Sequence, residues 1–89
     1  MYVHLGGDIV VPIQDIIGIF DTRMLDGNDD NHRFLANAAA NKRMKSEIRE
    51  PDRKSLVVTT NGVYWSAISS LTLVRRVTNV QWGLSVSDG

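Results

Sequence analysis

The sequence predicts a small α+β domain, a mainly antiparallel sheet carrying one longer and one short helix. Three observations carry this. Two turn signals sit between β-rich runs: Gly6-Gly7 between Tyr2–Leu5 and Asp8–Val11, and Asn61-Gly62 between Leu56–Thr60 and Val63–Ile68. Between them, Ala38-Ala39-Ala40 lies in a stretch whose apolar residues recur at helical spacing. The chain has 89 residues, room for one domain and no more.

The elements follow in order. Val3 and Leu5 alternate with Tyr2 and His4, which is strand period. Gly6-Gly7 supplies the positive φ of a tight hairpin turn. Pro12 lacks an N–H and should end the returning strand or place it at an edge, before a short corner at Ile13-Gln14. Ile16 to Phe20 is nearly continuous and β-branched, the pattern of a strand buried on both faces. Leu25 to Asn31 is a loop of turn formers, and Asp29, Asp30 or Asn31 should cap the helix that follows. That helix is expected from about His32 to Met44, reaching Ile48 at most, with Phe34, Leu35 and Ala38 on one face. Glu50-Pro51-Asp52 should break it.

After the second hairpin, Ser69 or Ser70 should cap a short helix from Leu71 to about Val77, with Leu71, Val74 and Val77 on its apolar face. Val80 to Ser87 then alternates, with Val80, Trp82, Leu84 and Val86 on one side. This reads as a last strand that pairs with an earlier one or with another copy. The expected organisation is one domain over residues 1–89, with 78–89 as an extra C-terminal strand and tail.

Several chemistries are excluded. There is no Cys, hence no disulfide scaffold, thiolate metal site or thiol nucleophile. His4 and His32 fall in different elements and do not form a metal-ligand pattern. Asp26, Asn28 and Asp30 have the spacing of the first calcium ligands of an EF-hand. Asn31 then stands where that loop needs Gly, and Asn37 where it needs a bidentate Glu. Ser66, Ser69 and Ser70 lack a nucleophile motif, and no phosphate-binding Gly-Lys-Ser/Thr loop exists. The expectation is a non-enzyme with no catalytic residues, metal or cofactor. With no targeting pattern and no apolar run long enough to span a bilayer, it is also expected to be cytoplasmic.

The net charge is zero, yet its distribution is uneven. Residues 1–30 carry six acids against one base, and residues 31–89 carry nine bases against four acids. Three readings stand: a polyanion-binding surface, head-to-tail self-association, or neutralisation within the fold. From Lys42 to Lys54 there are six bases and three acids. Lys42, Lys45 and Arg49 would form a stripe on a continuing helix, and Arg53-Lys54 directly precede a strand. These five are the candidate nucleic-acid residues, each able to neutralise a phosphate. The competing reading is a solvated helix face with internal pairs such as Arg43 with Glu47. Arg75-Arg76 fit the last turn of a helix through its dipole alone.

Two stretches carry a resemblance. Met1 to Gly6, Ile9-Val10-Val11 and Asp15 to Asp21 form the first, and Lys54 to Thr59 with Val63 to Leu73 the second. Over residues 1–22 and 54–76 the chain resembles the Rem family of bacterial extracellular-matrix (biofilm) regulators, most closely its RemB-like branch. The resemblance implies a fold similar to the DNA-binding domain of LytTR response regulators. It implies homo-oligomers, ring-shaped in the RemA branch, that bind duplex DNA and activate transcription of matrix genes. Arg53 and Lys54 match that family's basic cluster before the hairpin. A second basic position, in the turn before the third strand, is held here by Asp15. The alternative is a self-assembling structural or adaptor module that binds a protein partner and not DNA.

Overall fold

The computed structural model describes residues 1–25, 27 and 29–81. It begins with an antiparallel hairpin of β1 (Tyr2–Gly6) and β2 (Ile9–Pro12), in which Val3 faces Val11 and His4 faces Val10. Val3 and Leu5 are buried while Tyr2 and His4 are exposed, as the alternation requires. Gly6 and Gly7 turn the chain at φ of 109° and 57°, where side-chain-bearing residues are strained. Pro12 is the last residue of β2, and a single 3-10 turn over Ile13–Asp15 makes the expected corner.

A second antiparallel sheet contains β3 (Ile16–Asp21), β4 (Ser55–Thr59) and β5 (Val63–Ser66), with β4 in the centre. Successive side chains of β4 point to opposite faces. Val57 packs with Val3, Leu5, Val11 and Leu73 on one side, where β1, β2 and the last helix lie. Leu56 packs with Ala38, Val63 and Trp65 on the other, beneath the first helix.

It is β4, then, that is buried on both faces; β3, expected to be so, lies at the border. Ile17 is 69% exposed and Phe20 46%. A register shift between Ile16 and Gly18 against β4 leaves Ile17 outward. The Phe20 ring folds back over Gly18, where a Cβ would lie 2.8 Å from the ring.

Helix α1 spans Asp29–Ala40, with Asp29 and Asp30 in its first turn, where carboxylates complement the helix dipole. It begins before His32 and ends well short of Met44. The Asn41 N–H and its side-chain amide both donate to the Asn37 carbonyl, and Lys42 takes φ of 57°. Residues 43–46 then run alongside β5. The Val63 N–H donates to the Arg43 carbonyl at 2.7 Å, and the Lys45 N–H to the Val63 carbonyl at 2.8 Å. Satisfying the open edge of β5 outweighs further helix, so α1 stops before Pro51 acts. Glu50–Asp52 forms its own 3-10 turn.

The β4–β5 turn falls at Asn61-Gly62, as expected. Gly62 is not at positive φ, and the Thr59 hydroxyl holds the turn by accepting from the Asn61 and Gly62 N–H groups. Glycine is needed there for closeness: a Cβ on Gly62 would meet the Arg43 carbonyl oxygen at 2.7 Å and Lys45 Cγ at 2.5 Å.

Helix α2 spans Ser70–Gln81 and is capped by Ser69, whose Oγ accepts from the Thr72 N–H at 3.2 Å. The two helices are equally long, at 12 residues each, not one long and one short. Leu73 is fully buried and Val77 partly, whereas Leu71 and Val74, expected inward, are 60% and 44% exposed. Val80 and Gln81 are helical, so the expected final strand does not start at Val80. Val80 stands at helical spacing from Leu73 and Val77, so both periodicities run through it. The remainder of that expected strand, from Trp82, lies outside the described residues. Four buried hydroxyls each donate to a backbone carbonyl: Ser46 to Trp65, Ser55 to Ile68, Thr59 to Gly62 and Ser66 to Leu5. Among the described residues, no helix is long and apolar enough to cross a membrane.

Candidate nucleic-acid interface

The five candidate cations do not share a helix face. Because α1 ends at Ala40, the Lys42–Lys45–Arg49 stripe is not formed. Lys42 sits at the helix exit, Lys45 beside Val63 at the turn end of β5, and Arg49 directly before the Glu50–Asp52 turn. Arg53 and Lys54 lead into β4, and the Lys54 N–H donates to the Ser66 carbonyl at 2.8 Å. Lys45 and Lys54 are thus separated by the length of β5, roughly 10 Å. The cations fall into two groups, Lys42 and Lys45 with Arg43 at one end, and Arg49, Arg53 and Lys54 at the other. Arg43 is turned to the Thr60 carbonyl at 3.4 Å, not to Glu47.

Arg53 is the one cation of the five held in place by its side chain. Its Nε donates to the Ile48 carbonyl at 2.7 Å, and its guanidinium lies 4.6 Å from the centre of the Trp65 ring. The Trp65 carbonyl takes the Ser46 hydroxyl at 2.9 Å, so residues 46–48 brace the ring and the arginine together. Lys54, Arg49, Lys45 and Lys42 are all exposed. A depression of about 310 Å³ opens on one side of Arg53, lined by Thr22, His32, Leu35, Glu50 and Trp65 among others. A second, of about 470 Å³, adjoins it, lined again by Arg53 and Trp65 with Glu47, Ile48 and Arg49.

Two acids bear on the electrostatics. Asp21 is paired with Arg23 at 2.7 Å. The Arg23 side chain and then its backbone N–H bond the carboxylate and hold its pKa down at about 2, and the pair raises that of Arg23. Asp15 accepts from the Asn61 amide at 3.2 Å, and its carbonyl takes the Thr60 N–H. This ties Asp15 to the β4–β5 turn, at the far end of β4 from Arg53 and Lys54.

Sequence reasoning did not single out Trp65 or Ser46. Trp65 reads as a core residue on the inner face of β5, and nothing in local periodicity links it to Arg53, twelve positions away. Of the loop weighed against the EF-hand, Asp26 and Asn28 lie outside the described residues.

No known family profile matches the chain. It is similar to Extracellular matrix regulatory protein B of Bacillus subtilis (strain 168). The two are 41% identical over 76 residues, covering 85% of this chain and 89% of that protein. The segment from Asp26 to Glu50 that carries α1, and the residues from Val80, lie outside the stretches that first pointed to this family. Identity at that level over most of both chains establishes that the chain belongs to the Rem family of extracellular matrix regulatory proteins, in its RemB-like branch.

Proposed function

We propose that this chain is an oligomeric, cytoplasmic regulator of extracellular-matrix genes that binds duplex DNA. The relative's name supplies the regulatory role. The observation that carries the DNA contact is Arg53, a guanidinium braced by a carbonyl and an indole beside Arg49 and Lys54. A pre-positioned guanidinium gives up less side-chain freedom on reaching a phosphate than a mobile one does. Each basic group is small, so binding strength comes from repetition across copies on one duplex. The position of Asp15, bonded to the β4–β5 turn, keeps its carboxylate from opposing this cluster. A LytTR-like use of the sheet and helices belongs to the same proposal.

Duplex binding across a salt series tests it. The double variant Arg53→Ala, Lys54→Ala should lower the salt slope by about two phosphate contacts per bound protomer, near 0.9 each. Absence of binding at low salt refutes the DNA contact. A monomeric mass by light scattering at micromolar concentration, with and without DNA, refutes the oligomer.

A second reading is a self-assembling structural or adaptor module that binds protein. The border of β3 favours it. There an apolar depression of about 280 Å³ runs between Ile17, Phe20 and Phe34 beside backbone groups that pair with no strand among the described residues. The salt series separates the two readings.

A further inference from the structure

The 310 Å³ depression beside Arg53 has the size of a small-molecule site and a mixed lining. Leu35 and Trp65 are apolar, Arg53 and His32 can meet an anion, and the Glu50 carboxylate can accept hydrogen bonds. Arg53 also lines the neighbouring depression with Arg49. Its Nε is occupied by the Ile48 carbonyl, while its two Nη groups have no protein partner among the described residues. The guanidinium is planar, fixed on the Trp65 ring, and borders the groove. Nucleobases stack on such planes as they do on aromatic rings.

We propose that this groove holds one unpaired nucleotide, its base against the Arg53 guanidinium and Leu35, its phosphate on the Arg53 Nη groups and Arg49. Glu50 would accept from an amino-bearing base edge, favouring guanine over uracil, whose edge offers fewer donors. The proposal deepens the nucleic-acid reading above and rests on the same cation, but names an unpaired nucleotide where that reading has a duplex. Two sources share this chemistry: a free mononucleotide and an unpaired residue of a strand.

The test uses the full chain with Trp82→Phe, so that fluorescence reports Trp65. Guanosine monophosphate, uridine monophosphate, inorganic phosphate and a short single strand are titrated separately. A saturable Trp65 response to guanosine monophosphate, stronger than to uridine monophosphate and absent with phosphate, supports the proposal with a free nucleotide as source. A response to the single strand only supports it with a strand residue as source. Arg53→Lys keeps the charge and removes the plane, so it should weaken this binding about tenfold while retaining most of the duplex salt slope. Glu50→Gln lies on an exposed turn and should bring the two monophosphates to within about twofold of each other. No Trp65 response to any nucleotide or strand overturns the proposal, as does undiminished binding by Arg53→Lys or an unchanged preference in Glu50→Gln. Duplex binding read on the same samples shows separately whether the regulator reading stands.

Discussion

Substituting Gly62 by Ala forces a Cβ to within 2.7 Å of the Arg43 carbonyl oxygen and 2.5 Å of Lys45 Cγ. The lysine side chain can swing away, but the carbonyl is backbone and is itself bonded to the Val63 N–H. Relief therefore requires residues 43–45 to move off β5. Two backbone hydrogen bonds are strained or lost, each worth about 0.5–1.5 kcal/mol net. The expected destabilisation is about 2 kcal/mol. For a domain this size that corresponds to roughly 8–16 °C in Tm. Gly18→Ala is the control: its Cβ would also come within 2.8 Å of a neighbour, but that neighbour is the tip of the half-exposed Phe20 ring, which can rotate outward. It should cost under about 1 kcal/mol. Urea denaturation of the two variants gives the comparison, and amide exchange at Lys45 and Val63 locates the damage. If Gly62→Ala unfolds at the wild-type midpoint, the assignment of residues 43–46 to the edge of β5 is wrong; if Gly18→Ala loses as much, the Phe20 ring does not swing clear as argued.

Two further outcomes follow from the same contacts. Ser66→Ala removes a buried hydroxyl that donates to the Leu5 carbonyl at 2.6 Å and accepts from the Ile68 N–H at 3.0 Å. The loss should be about 1–3 kcal/mol, read from the denaturation midpoint. Asp21 is ordinary in the unfolded chain, near 3.8, and about 2 in the fold. Its pairing with Arg23 is thus stabilising above pH 4 and fades as pH falls toward 2. The stability difference between wild type and Asp21→Asn should close over that interval, and a carboxyl titration by NMR should place the midpoint near 2.

The alternation of Val3 and Leu5, the paired glycines, the Ser69 cap and the β4–β5 hairpin were all legible in the chain, because each depends on neighbours a few residues away. The end of α1 was not. Met44 has helical spacing and no local breaker, and only the edge of β5, nineteen positions downstream at Val63, draws it out of the helix. The same distance dispersed the expected basic stripe, whose spacing is meaningful on a helix and meaningless beside a strand. The β3 misreading has another cause: a β-branched run marks a strand, but not which strand is central. At the candidate interface Arg53 and Lys54 were legible as charges before a strand. What distinguishes Arg53, its brace against Trp65 and Ile48, arises from tertiary contact alone.

Every polar side chain enclosed by this fold, among the described residues, is an alcohol: Ser46, Ser55, Thr59 and Ser66. An alcohol neither takes up nor releases a proton across the range of acidity a cell encounters. Among the described residues, acidification therefore meets no titratable side chain in the interior and acts through the outer charges. For the part of the chain described, tuning by acidity or ionic strength is written on the exterior.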